Sequence, residues 1–331
     1  MASLFNAGFC YQKPSWHGQE TLLDHRPTLE EARLIAHNWE PEFEPLYRKT
    51  KVVDETTGRS KTVYLPVADF EAIVRNDTKA MLHAANPATF GLFPNYGLYE
   101  IMDVFLGQGA LLETNGDING GRQVYVLAYL DEPYSVPGDP SQTYPFLAIM
   151  NAHDGTSALR LLPTDIRVVC ANTFHYASLQ AERTGVQYTF RHSATVKERV
   201  EEAKTALSQV RANSKKYLEL AVELTGLTVD DESLKDFLVD FLPSPEEHGE
   251  VISDRVRENI ATARKAFKQI YLDSPTCEGI RGTGYGLFQA AGEYLDHKRG
   301  FRNRDSYLGR TVLSADRSKT KALELVRRVA R

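Results

Sequence analysis

The chain has 331 residues, of which 42% are hydrophobic and 25% are charged, a composition typical of a soluble globular protein with a substantial core. No apolar run approaches the roughly 18 residues of a membrane helix, and the N-terminus lacks the basic start and apolar run of a secretory signal. These features argue against a membrane or secreted protein and predict a cytoplasmic one. There, Cys10, Cys170 and Cys277 would be free thiols.

The first third of the chain mixes helix and strand signals after an irregular lead segment, residues 1–26. Thr28 and Glu31 have capping-box spacing and predict a helix over residues 28–38. Strands are predicted over residues 43–47 and 62–65, around a polar excursion, and a hairpin over residues 72–75 and 81–84. Asn95 is the expected N-cap of a helix that ends at Gly107.

From residue 110 the apolar period shifts to two, which predicts strands. Residues 111–118 and 122–130 form a hairpin around Asn119-Gly120-Gly121, and the second strand is expected to be covered on both faces. Asp154-Gly155 is a turn signal between further strands, and Pro163 is expected to end the second of them. The remaining predicted elements are a strand over 146–153, strands over 157–162 and 166–170, a helix over 174–182 and a strand over 186–192.

The chain turns helical after Thr195, with helices predicted over residues 196–225, 231–241, 251–271, 285–297 and 319–331. We therefore predict an α+β fold. It has an antiparallel sheet with packed helices in the N-terminal two-thirds, followed by a helical C-terminal region. The predicted domain division is 1–195 and 196–331.

Charge is distributed unevenly along the chain. From His297 to Arg331 there are eleven Lys or Arg against three Asp or Glu, a local charge of +8 within a net charge of −5. Such a basic end suits an anionic partner, and Arg327 and Arg328 are its candidate contacts. Alternatively, the basic tail pairs with the acidic body of the protein.

His153 and Asp154 are the candidate catalytic residues, as a general base or as half of a metal site. However, neighbouring residues of a strand point to opposite faces, and Asp-Gly is a common turn dipeptide. Cys170 would need a histidine base to act as a nucleophile, and its position at the end of an apolar run favours a buried thiol. No complete catalytic, metal or cofactor motif is present, so the sequence favours a protein that is not an enzyme.

A second candidate site is a stripe of cations on the predicted sheet. Arg160 and Arg167 lie on two successive predicted strands, and Arg122 lies on the earlier hairpin. If they share a face, they could follow a phosphate backbone, with Tyr125 stacking on bases. The alternative is that each arginine pairs with a nearby carboxylate.

Residues 282–286, Gly-Thr-Gly-Tyr-Gly, form a glycine-rich motif near the C-terminus. The motif lacks the preceding strand and the Gly-Lys-Ser/Thr ending of a phosphate loop. It more plausibly enters the next helix, with aromatic packing from Tyr285 and Phe288.

Several blocks stand together in a recognisable order. They are Trp16-His17-Gly18, a helix ending at Trp39, Pro45-Leu46-Tyr47, Glu113-Thr114 with Gly120-Gly121-Arg122, Asn151-x-His153-Asp154-Gly155-x-Ser157-Ala158-x-Arg160, Arg167-Val168-Val169-Cys170-x-Asn172-Thr173, and Gly282-Thr283-Gly284-Tyr285-Gly286 with Glu293-Tyr294-x-Asp296-His297. With them, the chain resembles the phage- and plasmid-borne family built on domain of unknown function 932. Residues 85–95 depart from the family pattern.

The resemblance implies a protein of phages, plasmids or integrated elements that acts in the bacterial cytoplasm, without a settled activity. Proteins of this sort often travel with DNA replication and recombination genes. The arginines of the predicted sheet, the aromatic residues, the basic tail and the absence of a complete catalytic motif support our first hypothesis, which is binding or annealing of single-stranded DNA by a homo-oligomer. The second is a hydrolase or nuclease using His153 and Asp154. The third is a host-interaction protein that acts through its helical region.

Overall fold

The computed structural model describes residues 5–11, 21–53, 55–130, 133–167, 188–190, 215–298 and 317–331, and it has an α+β fold. The chain divides into two compact units. Unit 1 comprises Met1–Ala128, Ala148–Leu161 and Tyr188–Leu207, and unit 2 comprises Tyr129–Leu147, Leu162–Gln187 and Ser208–Arg331. The division predicted at residue 195 lies outside the described residues and stays a prediction.

The larger sheet has the strand order β11-β10-β9-β7-β6-β1-β2, with β8 paired to β9. Its strands are β1 (Phe5–Tyr11), β2 (Thr21–Leu23), β6 (Leu111–Ile118), β7 (Gln123–Tyr129), β8 (Tyr134–Ser135), β9 (Gln142–Ala152), β10 (Leu159–Arg167) and β11 (Tyr188–Phe190). The described parts of the lead segment include two strands that were predicted to be irregular, because β1 pairs antiparallel with β6 and parallel with β2. Phe9 and Cys10 of β1 are both fully buried, so this strand has no polar face to signal it.

The predicted β6–β7 hairpin is confirmed. Asn119, Gly120 and Gly121 all have positive φ angles between β6 and β7, as a tight turn requires. Residues 124–128 of β7 are buried on both faces, as expected. The break predicted at Pro163 is wrong, because β10 runs through it. Within the described residues, β11 pairs with β10 over residues 159–161, and Pro163 lies beyond this paired stretch.

The second sheet contains β3 (Pro41–Val53), β4 (Ser60–Arg75) and β5 (Met81–Ala85), in that order. The two strand fragments predicted at residues 62–65 and 72–75 are parts of the single strand β4. A bulge separates them, because Pro45 pairs with Glu71 whereas Tyr47 pairs with Pro66. β5 pairs with β4 only over residues 71–74. The outer part of the β3–β4 hairpin is thus a two-stranded ribbon.

Charged and aromatic contacts fix the base of this hairpin. Arg75 ends β4, and its side chain forms ion pairs with Asp77 at 2.8 Å and with Asp117 at 3.0 Å. The guanidinium also lies over the Trp39 ring, 4.2 Å from its centroid. A Cβ on Gly121 would lie 2.5 Å from Trp39 Cζ2, so the indole packs directly against the glycine backbone. The base of the ribbon is therefore joined to the β6–β7 turn.

Two helices cover part of unit 1. Helix α1 (Leu29–Ala36) begins at Thr28 with the predicted Glu31 capping box. Helix α2 (Asn95–Leu106) starts differently from the prediction, because its N-cap is Pro94, which has no capping side chain. Instead, the Glu40 carboxylate accepts hydrogen bonds from the backbone N–H of Asn95 (2.5 Å) and Tyr96 (3.1 Å). A carboxylate distant in sequence thus satisfies the free donors of this helix.

A buried polar network links the helices to β6. His37 Nε2 lies 2.9 Å from Gly116 O, and His37 Nδ1 lies 2.6 Å from Tyr99 Oη. Because a carbonyl only accepts, Nε2 carries the proton, and Tyr99 donates to Nδ1. Asn115 Nδ2 donates to Tyr99 Oη at 2.7 Å. Burial lowers the pKa of His37 to about 4, so the ring is neutral at physiological pH.

The stability of unit 1 should combine two opposed pH dependences. Burial lowers the pKa of His37 from 6.5 to about 4, so its contribution is complete above pH 6.5 and is lost as the pH falls towards 4. Burial raises the pKa of Glu113 from 4.5 to about 7 despite Arg26 Nη1 at 3.3 Å. Its contribution is complete below pH 4.5 and is lost as the pH rises to 7.

The Glu113→Gln variant should lose the pH dependence that is due to Glu113 and keep the one that is due to His37. We expect the unfolding free energy of the variant to rise from pH 4.5 to 6.5 more steeply than that of the wild type, by at most about 3 kcal/mol. Urea unfolding followed by tryptophan fluorescence measures this change, since Trp16 and Trp39 both belong to unit 1. Glu100→Gln, at an exposed glutamate, is the control. Identical pH profiles for Glu113→Gln and the wild type would contradict the prediction.

Unit 2 is rich in helices, as predicted for the C-terminal region. Helix α3 covers 215–225, and it is followed by α4 (Asp231–Phe241), α5 (Asp254–Asp273), α6 (Gly284–Glu293) and α7 (Arg317–Val329). A single π-helical turn, Tyr294–Lys298, extends α6. Phe237, Phe241 and Phe267 pack in its core, with ring centroids 4.9–5.6 Å apart. None of the helices described here is long and apolar enough to cross a membrane.

Candidate nucleic-acid interface

The sheet residues predicted to contact DNA lie in different environments. Arg122 is exposed just before β7. Tyr125 is only 4% exposed inside β7, so its ring has no open face for stacking on a base. Arg160 is half-buried on β10, and Arg167 ends this same strand rather than a following one. The side chain of Arg167 lies outside the described residues, so a common face stays a prediction.

The tail arginines predicted to bind DNA form ion pairs within unit 2. Arg327 Nη2 lies 3.1 Å from Glu223 Oε2, and Arg328 pairs with Asp240. Helix α7 meanwhile buries its apolar side, including Val326, in the core of the unit. The contacts of Arg327 and Arg328 agree with the alternative interpretation, in which the basic tail pairs with the acidic body.

His153 and Asp154 make their contacts in different places. His153 is 1% exposed, and its Nε2 lies 2.9 Å from Asn95 Oδ1, while Asn95 Nδ2 donates to Trp39 O at 2.8 Å. Asp154 Oδ1 accepts from Thr156 N at 3.1 Å and holds the turn. The His153 contact lies at the end of a strand, and the Asp154 contact lies within the turn. The two side chains therefore do not form a catalytic pair. In the part of the chain that the structure describes, no group of three His, Cys, Asp or Glu could hold a metal ion.

The glycine-rich motif packs as the start of a helix. Gly284 N donates to Leu227 O at 2.8 Å, and Gly286 N donates to Thr283 Oγ1 at 3.0 Å, so these N–H groups do not face a ligand. A phosphate loop needs free backbone donors. Tyr285 is fully buried, which agrees with the predicted aromatic packing. Cys10 and Cys277 are buried and form no disulfide, and Cys170 lies outside the described residues.

The outer part of the β3–β4 ribbon, residues 47–66, is largely exposed, and we call it the arm. Its register pairs Tyr47 with Pro66, Lys49 with Tyr64, Lys51 with Thr62 and Val53 with Ser60. Residues paired in this way point to the same side of an antiparallel ribbon. All eight side chains are exposed, and none is a carboxylate. We call this surface the tyrosine–lysine face.

The arm is positively charged within an acidic protein. Residues 47–66 contain five Lys or Arg against two Asp or Glu, a charge of +3, although the net charge of the chain is −5. The five cations are Arg48, Lys49, Lys51, Arg59 and Lys61. Over the described ranges, none of these forms an ion pair. By contrast, Lys79, also in unit 1, contacts both Glu42 and Glu44 of β3.

The arm was not predicted from the sequence, because strands were identified by the alternation that one buried face produces. Tyr47 and Tyr64 are 56% and 65% exposed, and the opposite side of the ribbon is at most half-buried. Neither strand therefore alternates between apolar and polar residues. The available signal was the spacing Tyr47-x-Lys49-x-Lys51, which places one aromatic ring and two cations on a single side of a strand.

A family model described as "Domain of unknown function (DUF932)" matches residues 83–318. No curated protein and no solved structure matches the chain. The arm precedes the matched span, whereas α2, His153 and the glycine-rich motif lie inside it. Because the matched span covers more than two thirds of the chain, the protein belongs to the family of the domain of unknown function 932.

Proposed function

We propose that the protein binds single-stranded DNA through the arm. The observation that carries this proposal is the tyrosine–lysine face, where Tyr47, Lys49, Lys51 and Tyr64 are exposed together without a carboxylate. Lysine side chains attract the phosphate backbone, and aromatic rings stack on unpaired bases of any sequence. Both groups are needed to hold a single strand, and the arm offers both.

Electrostatics favour the arm over the rest of the surface as the place where DNA binds. Outside residues 47–66 the chain has a formal charge of −8, so an incoming phosphate backbone is repelled by the body and attracted by the arm. The ion pairs of Arg327 and Arg328 reduce the attraction of the C-terminal tail. Arg122, Arg160 and Arg167 stay candidate phosphate contacts on the larger sheet.

The biological setting of the proposal rests on the family resemblance. We place the protein in the cytoplasm of a bacterium that carries a phage, plasmid or integrated element. There, binding of single strands would assist annealing during recombination or replication. The proposal also includes a homo-oligomer, which would bring several arms to one strand of DNA. This part likewise rests on the family resemblance.

The double variant Lys49→Gln/Lys51→Gln tests the arm as the binding site. Fluorescence anisotropy with a labelled oligonucleotide of about 30 nucleotides, measured across a salt series, gives the slope of log K against log salt. Each phosphate contact on a single strand contributes about 0.7 to this slope, so the double variant should reduce it by about 1.4. Affinity at low salt should fall as well.

Arg327→Gln/Arg328→Gln is the matched control, because it removes the same charge at positions that are paired in the structure. We expect its salt slope to equal that of the wild type. A slope that falls in the tail variant but not in the arm variant would move the site away from the arm. Wild-type protein that binds no oligonucleotide at low salt would end the proposal.

A further inference from the structure

We infer that Tyr47 and Tyr64 hold one unpaired nucleobase between their rings, an inference that rests on the proposed function. Tyr47 pairs across the ribbon with Pro66, and Lys49 pairs with Tyr64. The two tyrosines are therefore diagonal neighbours on the tyrosine–lysine face. They are 56% and 65% exposed, so both rings are accessible to a ligand.

The spacing of the ribbon suits a single base. Diagonal neighbours on one face of an antiparallel pair are about 7–8 Å apart, within reach of aromatic side chains. Successive bases in a nucleic acid stack at about 3.4 Å, so a ring–base–ring sandwich needs roughly twice this distance. Among the ring contacts of the described residues, neither tyrosine contacts another ring. The space between them is thus not closed by mutual stacking.

The neighbours of the two rings define the class of ligand. Lys49 lies directly opposite Tyr64, and Lys51 lies one pair further towards the tip, so two cations stand beside the ring pair to bind flanking phosphates. The face has no carboxylate or amide side chain to read the edge of a base. The site should therefore accept any base, provided that the base is unpaired and that its two faces are free to stack.

A series of three strands of equal length tests this inference. The first has abasic sites throughout, the second carries one base in the centre, and the third carries two adjacent bases. We expect the single base to raise affinity at least about 5-fold, the lower end of what one base–aromatic stack provides. The second base should add less than about 2-fold, because one base fills the space between the rings. The salt slope should be the same for all three strands.

Variants identify the residues. Tyr47→Leu and Tyr64→Leu should each abolish the gain from the single base, whereas Tyr47→Phe and Tyr64→Phe should retain it. Tyr96→Leu, at a 45% exposed tyrosine outside the arm, should have no effect. Equal binding of the abasic and single-base strands, or an equal gain from each base, would overturn the sandwich and leave salt-dependent binding intact. If no strand shows salt-dependent binding, the proposed function fails as well.

Discussion

Replacing Arg75 with methionine should lower the unfolding free energy of unit 1 by about 3–5 kcal/mol. The guanidinium binds the Asp77 carboxylate through two hydrogen bonds, of 2.9 and 2.8 Å, and donates to Asp117 Oδ2 at 3.0 Å. The Asp117 side chain is only 1% exposed. Methionine keeps much of the packing on Trp39 but leaves the buried Asp117 carboxylate without its cation, and that loss dominates the cost. Denaturant unfolding followed by tryptophan fluorescence measures the change.

Two further variants distinguish the destabilisation caused by an unpaired buried carboxylate from the destabilisation caused by losing an arginine side chain. Arg264 makes a similar double contact with Glu247, at 2.8 and 2.9 Å, but these side chains are 23% and 30% exposed, against 11% and 1% for Arg75 and Asp117. Arg264→Met should therefore cost about 1 kcal/mol or less. Adding Asp117→Asn to Arg75→Met should recover part of the loss, because it removes the buried charge. Equal costs for Arg75→Met and Arg264→Met would refute this account of the Arg75 contacts.

Gly286→Ala should destabilise unit 2 by more than about 3 kcal/mol. A Cβ at this position would lie 2.1 Å from Ile280 O and 2.8 Å from Ile280 C, and both are backbone atoms that cannot rotate away. The segment from Ile280 to Thr283 would have to move. Since Thr283 caps α6 and Tyr285 is fully buried, this movement would disturb both the helix start and the core. Thermal unfolding followed by far-UV circular dichroism gives the size of the effect.

Gly226→Ala is the control within the same unit. The nearest atom to a Cβ there is Glu223 O at 3.3 Å, a contact that a small shift relieves. Its melting temperature should lie close to that of the wild type, and that of Gly286→Ala should lie far below it. If both variants melt together, the close approach of Gly286 to Ile280 does not limit the stability of the unit.

Elements determined by neighbouring residues could be predicted from the sequence. The Thr28–Glu31 capping box and the bounds of α4 agree with the structure, because caps and helical periodicity depend on residues within a turn or two. The β6–β7 hairpin agrees as well, since the turn Asn119–Gly121 needs positive φ angles that its sequence provides.

Elements determined by distant residues could not be predicted. The cap of α2 comes from Glu40, 55 residues before Asn95, and local reasoning assigned it to Asn95 itself. The pairing of β1 with β6 joins segments about 105 residues apart, and Phe9 and Cys10 are buried without any alternation that marks a strand. Pro163 also misled the prediction, because a proline disrupts a sheet only where its N–H would have been paired.

The candidate site likewise has parts that depend on neighbouring residues and parts that depend on distant ones. Arg122 is exposed, as a phosphate contact must be. Tyr125 is buried, which agrees with the expectation that β7 is covered on both faces and conflicts with the role of a stacking residue. The arm can be recognised only from the register of two strands, which places Lys49 opposite Tyr64 although a turn separates them in the sequence. That juxtaposition depends on the bulge at Pro45–Tyr47, and a register slip of one residue would send the side chains of one strand to the other side.

The base of the arm also determines how freely this part of the gene can vary. Glu40 N donates to Asn76 Oδ1, and Asn76 N donates to Glu40 O, both at 2.9 Å, so the β3–β4 hairpin begins and ends at adjacent points. The arm lies between these residues, and none of its described residues is buried. It can lose or gain residue pairs, or be exchanged for another hairpin, without rerouting a core strand. A hairpin of another length or composition at this place would change the reach and the charge of the arm without altering residues 83–318, which the family model matches.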